Sequence, residues 1–230
     1  MDVSATAALR SEEVERIETW IFDLDNTLYP ASSRLFDQID RNITRFIMAH
    51  LNLDWDAAHK LQKSFFREHG TTMRGLMSTH NTDPVEFLDF VHEIDLAPIA
   101  PDPNLNQALD RLPGRKVIFT NGSSDHARNV TTHLGIDHHF DATFDIIDSG
   151  YTPKPDPGVY ARMTTQLGIN PNAAVMFEDM ARNLVPAAEM GMTTVWVRTD
   201  VHWGIEGSEG GHIDHIADDL GKWLGALTEP

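Results

Sequence analysis

Two aspartates lie two positions apart in the segment Phe22-Asp23-Leu24-Asp25-Asn26-Thr27, at the end of a short apolar run. Residues at that spacing in an extended chain point to the same side, so the carboxylates of Asp23 and Asp25 can face one site. Two carboxylates together suit covalent catalysis, in which one attacks and the other moves the proton. An acidic pair can also simply end a strand and cap the turn that follows. The pair alone is therefore suggestive but not specific.

Three further groups of reactive residue types follow in order along the chain. Thr120-Asn121-Gly122 offers a hydroxyl, an amide and a flexible backbone where a helix is expected to begin, which suits a phosphate oxygen. Lys154 lies between two prolines that stiffen its loop, although an isolated lysine is usually solvated. Glu178 and Asp179 end an apolar run, and Asn183 follows shortly after them. The order of these groups makes the combined signal much stronger than any one of them.

The net charge of the chain indicates how much additional positive charge a phosphate-binding site would need. The chain has 230 residues, with 35 acidic and 18 basic side chains and a formal net charge of -17. Such a surface repels nucleic acid and anionic lipid, so neither is an expected partner. It also repels phosphate, because two like unit charges about 4 Å apart cost about 4 kcal/mol at an effective dielectric constant of about 20. Lys154 alone cannot offset several carboxylates, so a phosphate site here would require a divalent cation.

The elements that must position these residues are short apolar runs separated by helix-like stretches. This alternation predicts an α/β fold with a doubly wound, Rossmann-like parallel sheet, whose ligands bind at the carboxyl ends of the strands. The runs read as strands cover residues 20–24, 116–120, 144–147, 174–177 and 193–197. The acidic and hydroxyl groups described above stand at three of these strand ends. A glycine-rich loop over 204–211 and a last helix over 214–224 are expected near the end of the chain.

About 75 residues separate the first predicted strand from the next helix–strand unit, far more than a usual connection. Residue 35 begins a run of apolar side chains at helical spacing, a second helix is expected over 54–68, and Asp83-Pro84 with Glu86 forms the start of a third. We therefore expect an inserted all-helical cap domain at residues 30–100. Residues 1–29 and 101–230 would form the catalytic core.

Composition excludes several other kinds of site and location. The chain has no cysteine, which excludes disulfides and cysteine-ligated zinc and fits a reducing compartment. The first residues, MDVSATAALRSEEVER, lack the basic start and apolar stretch of a signal peptide, and no run approaches the roughly 20 apolar residues of a membrane span. We expect a soluble cytoplasmic protein, either a monomer or a homodimer.

The four motifs DLDNT, TNG, KP and EDMARN are similar to those of the haloacid dehalogenase-like hydrolase superfamily, and the helical insertion resembles its first type of cap. This resemblance implies that Asp23 attacks phosphorus and that Asp25 acts as general acid and base. It further implies that Thr120 and Lys154, with the backbone and amide of 121–122, hold the phosphoryl oxygens.

The same resemblance implies a magnesium ion. Its ligands would be Asp23, the backbone carbonyl of Asp25 and Asp179. Glu178 and Asn183, together with Thr27, would support this shell. Mg²⁺ prefers oxygen ligands and commonly binds through one or two carboxylates plus a substrate phosphate, which these residue types match. For Asp25 to donate a proton near neutral pH, we expect its pKa to be raised.

Segments in both predicted domains, among them FFREHGTTMRGLM, FLDFVHEIDLAP and LPGRKVIFTNG, resemble bacterial pyrimidine 5'-nucleotidases, from about residue 20 to 197. The implied substrate is a pyrimidine nucleoside 5'-monophosphate such as UMP or CMP, which would give the nucleoside and phosphate. Tyr29, Thr71, Thr72 and Arg74 are candidates to contact the leaving group. A packed tyrosine, helix-capping threonines and a solvated arginine explain the same residues equally well.

Other functions stay open at this point. A phosphatase for a sugar phosphate or a phosphoglycolate-type metabolite would use the same core, and a phosphomutase would keep both aspartates. Haloacid dehalogenases lack the second carboxylate. A phosphoacceptor signalling domain would lack the long insertion, and an inactive binding module would be expected to have lost one of the acids.

Overall fold

A computed structural model of the protein describes residues 9–228. The first eight residues, which begin the segment MDVSATAALRSEEVER, and the last two residues lie outside the described residues, although both stretches belong to the predicted core. No helix in the described part of the chain is long and apolar enough to cross a membrane.

Six strands form one sheet in the order β3-β2-β1-β4-β5-β6, and every neighbouring pair is parallel. The strands are β1 (Thr19–Phe22), β2 (Arg115–Phe119), β3 (Ala142–Phe144), β4 (Ala174–Glu178), β5 (Thr193–Val197) and β6 (His215–Ala217). The central strand β1 is buried throughout and pairs with β2 on one side and β4 on the other. The chain therefore winds outward in both directions from β1, which confirms the doubly wound parallel sheet.

Helices follow most of the strands. They are α1 (Ser11–Val14), α2 (Phe36–Leu51), α3 (Trp55–His69), α4 (Thr72–His80), α5 (Pro84–Val91), α6 (Pro103–Arg111), α7 (Ser124–Leu134), α8 (Pro157–Leu167), α9 (Val185–Glu189), α10 (His202–Ile205) and α11 (Leu220–Thr228). Several of these helices begin after an aspartate that is followed by a proline. The aspartate side chain accepts a hydrogen bond from a backbone N–H of the first turn. This combination satisfies an otherwise unpaired backbone N–H and presets the helical φ angle.

Both faces of the sheet are covered, because alternate residues of β1 enter different apolar clusters. Trp20 and Phe22 pack on one side, where Phe22 stacks on Phe177 with ring centroids 4.7 Å apart. Ile21 packs on the other side with Phe119. Helices α6, α7 and α11 contribute to the first cluster, and α8 and α9 contribute to the second. This arrangement gives the strand ends a rigid base.

Helices α2–α5 form the insertion between β1 and α6 and have an apolar cluster of their own. Phe46, Phe65 and Phe87 lie in it, and Thr44 donates a buried hydrogen bond to Gln62 between α2 and α3. The inserted helical cap agrees with the expected fold class, while the boundaries at 30 and 100 stay a prediction. Helix α4 was not predicted as an element from the sequence.

The structure corrects two other predicted elements. The strand expected over 144–147 ends at Phe144, because the carboxylate of Asp145 accepts hydrogen bonds from the backbone N–H groups of Ile147 and Asp148 and turns the chain. The helix expected over 214–224 is a short strand, β6, followed by α11. Asp214 accepts a hydrogen bond from the backbone N–H of Thr194, which fixes this segment beside β5.

Candidate active site

Three strand ends bring the predicted site residues to one place. Asp23 and Asp25 follow β1, Thr120 follows β2, and Glu178 ends β4. Because β2 and β4 flank β1 on opposite sides, the site lies where the winding direction of the sheet reverses, the usual ligand position in such sheets. Residues far apart in the sequence are thereby brought within bonding distance.

Lys154 connects these strand ends. Its Nζ donates to Asp23 Oδ1 at 2.7 Å, to Glu178 Oε2 at 3.1 Å and to the backbone carbonyl of Phe119 at 2.8 Å, and its side chain is 1% exposed. Asn121 fixes the lysine loop, because its Oδ1 accepts from the backbone N–H of Lys154 at 2.8 Å. Burial disfavours the ammonium charge, but the two carboxylates outweigh burial and raise the pKa of Lys154. The lysine is therefore a fixed positive charge.

Replacing Lys154 with methionine is expected to lower the free energy of unfolding by about 3 kcal/mol in magnesium-free buffer, because two buried carboxylates lose their cation. Urea denaturation measures this change. The matched control is Lys63→Met, since Lys63 also forms an ion pair, with Asp40 at 2.7 Å, but on a partly exposed part of the cap. The control should cost less than about 1 kcal/mol. Equal losses in the two variants would show that Lys154 does not neutralise a buried acidic cluster.

Asp23, Glu178 and Asp179 form that acidic cluster. One carboxylate oxygen from each lies within 4.8 Å of the others, and all three residues are buried. Burial, reinforced by the neighbouring carboxylates, raises the pKa of Asp23 and of Asp179 and raises that of Glu178 to about 8. One lysine thus leaves the cluster short of positive charge.

Asn183 adds a further oxygen beside this cluster. Its amide nitrogen donates to Glu178 Oε1, while its Oδ1 is buried without a hydrogen-bond partner. Three buried carboxylates and an unpaired amide oxygen fit a hard divalent cation, since such ions take oxygen ligands and offset clustered negative charge. Asp23 and Asp179 were predicted as ligands, and Glu178 and Asn183 as their support; the structure brings all four together.

Asp25 faces the same space but has different partners. Its Oδ1 accepts from the Tyr29 hydroxyl at 2.6 Å and lies 2.8 Å from His126 Nε2. Burial by itself would raise the pKa of Asp25, but His126 and the tyrosine hydroxyl outweigh burial and lower it. The expectation of a raised pKa is therefore wrong for the free protein. Sequence reasoning missed His126, although it follows the TNG motif on the first turn of α7.

Hydroxyl groups complete the polar end of the site. Thr27 Oγ1 donates to Asp23 Oδ2 at 3.1 Å, and Thr120 Oγ1 accepts from the backbone N–H of Gly122 at 2.9 Å. A Cβ atom at Gly122 would lie 3.3 Å from Thr120 Oγ1 and from the ring of His126. Glycine therefore suits this close approach of the loop to both side chains.

A cavity of about 420 Å³ lies between these groups and the cap, within the range of sites for small ligands. The acids, Thr120 and Lys154 line one end of it. The remaining wall is largely apolar and includes Phe36, Ile39, Ile43, Phe66, Phe87 and Trp203. Polar side chains of the cap interrupt that wall at Asp40, Gln62 and Lys63, where Asp40 Oδ1 accepts from both of its neighbours at 2.7 Å. These three residues were not identified from the sequence.

Only two of the four candidates for contact with the leaving group line this cavity. Thr71 and Thr72 line the cavity, but Thr71 caps α4 and Thr72 Oγ1 donates to the carbonyl of Gln62 at 3.1 Å. Arg74 is exposed and lies outside the wall. Tyr29 is buried and also lies outside this wall, and its hydroxyl donates a hydrogen bond to Asp25. The structure thus corrects the prediction that Tyr29 and Arg74 face the leaving group.

Comparisons with known proteins show which family the chain resembles. Residues 17–191 match a family model described as haloacid dehalogenase-like hydrolase. Phosphate metabolism protein 8 of Saccharomyces cerevisiae is 27% identical over 220 residues, which cover 88% of this chain and 62% of that protein. Glyceraldehyde 3-phosphate phosphatase of Methanopyrus kandleri is 27% identical over 208 residues, 83% of this chain and 88% of that protein.

A similar fold occurs among solved structures. CbbY from Rhodobacter sphaeroides, solved in complex with xylulose-(1,5)bisphosphate, superposes with a TM-score of 0.65 at 19% identity, covering 90% of this chain and 96% of that chain. At this identity the likeness concerns the fold alone.

Proposed function

Because the chain belongs to the haloacid dehalogenase-like hydrolase family, we propose that it is a magnesium-dependent phosphomonoesterase with Asp23 as its covalent nucleophile. One observation carries this proposal: Asp23, Asp179 and Lys154 meet in one buried cluster at the end of the ligand cavity. A carboxylate, a cation site and an ammonium group at that position match the needs of phosphoryl transfer.

The reaction follows from the positions of the two aspartates. A carboxylate oxygen of Asp23 forms a bond to phosphorus while the bond to the leaving oxygen breaks, and Asp25 gives its proton to that oxygen. Asp25 then takes a proton from water as the water oxygen bonds to phosphorus and the Asp23–phosphate bond breaks. A bound phosphate dianion raises the pKa of Asp25 above its value in the free protein, which favours the protonated donor.

The remaining residues of the site would bind the phosphoryl oxygens and the metal ion. Lys154, the Thr120 hydroxyl and the 121–122 loop would bind the phosphoryl oxygens. Mg²⁺ held by Asp23, Asp179 and the backbone carbonyl of Asp25 would offset the charge of the phosphate and the carboxylates. Glu178, Asn183 and Thr27 would fix the orientation of these ligands through the hydrogen bonds described above.

For the substrate, we infer a pyrimidine nucleoside 5'-monophosphate. The apolar cap wall suits a planar ring, and its polar side chains at Asp40 and Lys63 could pair with the edge of a base or with ribose hydroxyls. A phosphatase for a small sugar phosphate is the second candidate, favoured by the relative named for glyceraldehyde 3-phosphate. A small polyhydroxylated leaving group would leave much of the apolar wall unused.

A phosphate-release assay with Mg²⁺ across UMP, CMP, AMP and glyceraldehyde 3-phosphate tests both the proposed phosphomonoesterase activity and the proposed substrate. We expect UMP or CMP to give the highest kcat/KM. The Phe66→Ala variant should lower that value by about tenfold for the pyrimidine nucleotides, because an aromatic platform for one base contributes about 1–3 kcal/mol. Its effect on glyceraldehyde 3-phosphate should be small.

The matched control is Trp55→Ala, which removes an exposed aromatic side chain from the same helix outside the cavity wall. It should leave all rates unchanged. If glyceraldehyde 3-phosphate exceeds every nucleotide, the second candidate is correct. If no phosphate is released from any of these esters, the proposed phosphomonoesterase activity is wrong.

A further inference from the structure

His126 has a direct contact with the proposed proton-transfer residue. It lies on the first turn of α7, is 2% exposed, and places Nε2 at 2.8 Å from Asp25 Oδ1. The Tyr29 hydroxyl donates to the same oxygen at 2.6 Å. Both contacts go to Oδ1, so Oδ2 is the oxygen left to face a reacting group. A carboxylate held in this way has little freedom to rotate.

The cap contributes the next contact. His92 directly follows α5 of the cap and lines the cavity. Its ring stacks on that of His126, with centroids 4.2 Å apart and planes 7° from parallel. Its Nδ1 lies 3.1 Å from Ser123 Oγ, and the same hydroxyl accepts from the backbone N–H of His126 to cap α7. A residue of the cap thus covers the imidazole that holds Asp25.

The stacked rings of His92 and His126 can form a rigid contact. Burial, with a further contribution from His126, lowers the pKa of His92 to about 3, so the His92 ring is neutral. A parallel ring pair at this separation also fixes the plane of His126, because rotation of the imidazole would lose the contact. The direction of its Nε2 towards Asp25 is therefore set from the cap side as well as from α7.

We propose that His126 is a positioning residue that fixes Asp25 for proton transfer to the leaving oxygen, and that His92 makes this positioning depend on contact between cap and core. The inference rests on the proposed phosphatase function. It differs from a simple packing role, because a packing residue only needs to fill space. A positioning residue must also supply the hydrogen bond to Oδ1.

Leaving-group chemistry separates these two roles. The alkoxide released from UMP requires a proton, whereas p-nitrophenolate departs readily without one. His126→Phe retains a ring to stack on His92 but removes the donor to Asp25. We expect it to lower kcat/KM for UMP on the order of tenfold to a hundredfold more than kcat/KM for p-nitrophenyl phosphate, a part of the roughly 10²–10⁴-fold that general acid catalysis supplies. If UMP is not hydrolysed, glyceraldehyde 3-phosphate replaces it.

Two further comparisons complete the test. His126→Gln keeps a donor without the ring, and should recover part of the selective loss. His92→Ala removes the stack and should lower the ratio of kcat/KM for UMP to that for p-nitrophenyl phosphate several-fold, while His92→Phe retains the stack and should keep this ratio close to that of the wild type. Because each ratio compares two substrates on one protein, partial unfolding cancels, and thermal unfolding of each variant checks the fold.

The outcomes are distinct. A selective loss with alkyl phosphates supports the inference. An unchanged ratio in His126→Phe, or an equal loss with both substrates, overturns it while the phosphatase activity of the wild type still stands. A wild type that hydrolyses neither ester would overturn the proposed function and this inference together.

Discussion

Replacing Asp23 with asparagine is expected to reduce phosphate release to background. Asparagine keeps the shape of the side chain but cannot form the acyl phosphate bond, and loss of the nucleophile of a covalent enzyme costs on the order of 10⁶-fold in kcat. The variant should also yield no acid-stable covalent label from ³²P-labelled substrate. Steady-state phosphate release and an acid-quenched labelling experiment measure the two effects.

The same substitution should not weaken the fold. Burial, with a smaller contribution from the Asp25 carboxylate, outweighs Lys154 and raises the pKa of Asp23, so its ionised form is less stable in the folded protein than in water. Asparagine removes that unfavourable charge, and we expect an unfolding free energy no lower than that of the wild type in magnesium-free buffer. Loss of activity together with retained stability would mark Asp23 as a residue kept for chemistry.

Asp25→Asn is the matched control. It keeps an oxygen to accept from Tyr29 and His126, and removes proton transfer, which is expected to cost roughly 10²–10⁴-fold. Asp25→Asn should therefore retain more activity than Asp23→Asn. Appreciable turnover or covalent labelling in Asp23→Asn would show that another residue is the nucleophile.

The convergence of the site residues could be predicted from the sequence, because the carboxyl ends of parallel strands lie at the same edge of a sheet. Asp23 and Lys154 are 131 residues apart, yet their order relative to the strands indicates that they meet at one edge of the sheet. The apolar strands are nearly continuous hydrophobic runs, which is the pattern of a buried parallel sheet. The family motifs then indicate which residue types stand at each strand end.

Other features depend on contacts that no local pattern records. Strand β6 has three residues and lies beside β5 at the edge of the sheet that the described residues form, so it is too short to show an alternating pattern of apolar residues. The lowered pKa of Asp25 comes from His126, a contact across 101 residues. The cap residues Asp40 and Lys63 line the cavity only because α2 and α3 pack side by side. Sequence reasoning placed the reactive residues at the ends of β1, β2 and β4, but it predicted neither these pairings nor the early end of β3.

Removing divalent cations with excess chelator is expected to abolish turnover. Asp23, Glu178 and Asp179 form one buried cluster, in which a single ammonium group pairs with Asp23 and Glu178, and a phosphate dianion would enter beside them. Each uncompensated pair of like charges at about 4 Å costs about 4 kcal/mol at an effective dielectric constant of about 20, equivalent to roughly a thousandfold in rate or affinity. Adding Mg²⁺ back should restore activity.

Binding can be measured without activity. Mg²⁺ at about 100 times its dissociation constant should stabilise the folded protein by about 2.7 kcal/mol, which thermal unfolding detects as a higher Tm. Asp179→Asn should lose most of this response, because it removes a buried carboxylate of the cluster. Asp218→Asn is the control, since Asp218 pairs with Arg198 on the surface and lies outside the active-site cavity. An equal rise in Tm in both variants, or undiminished turnover in chelator, would contradict a cation site at this cluster, and Lys154 would then have to balance the phosphate charge alone.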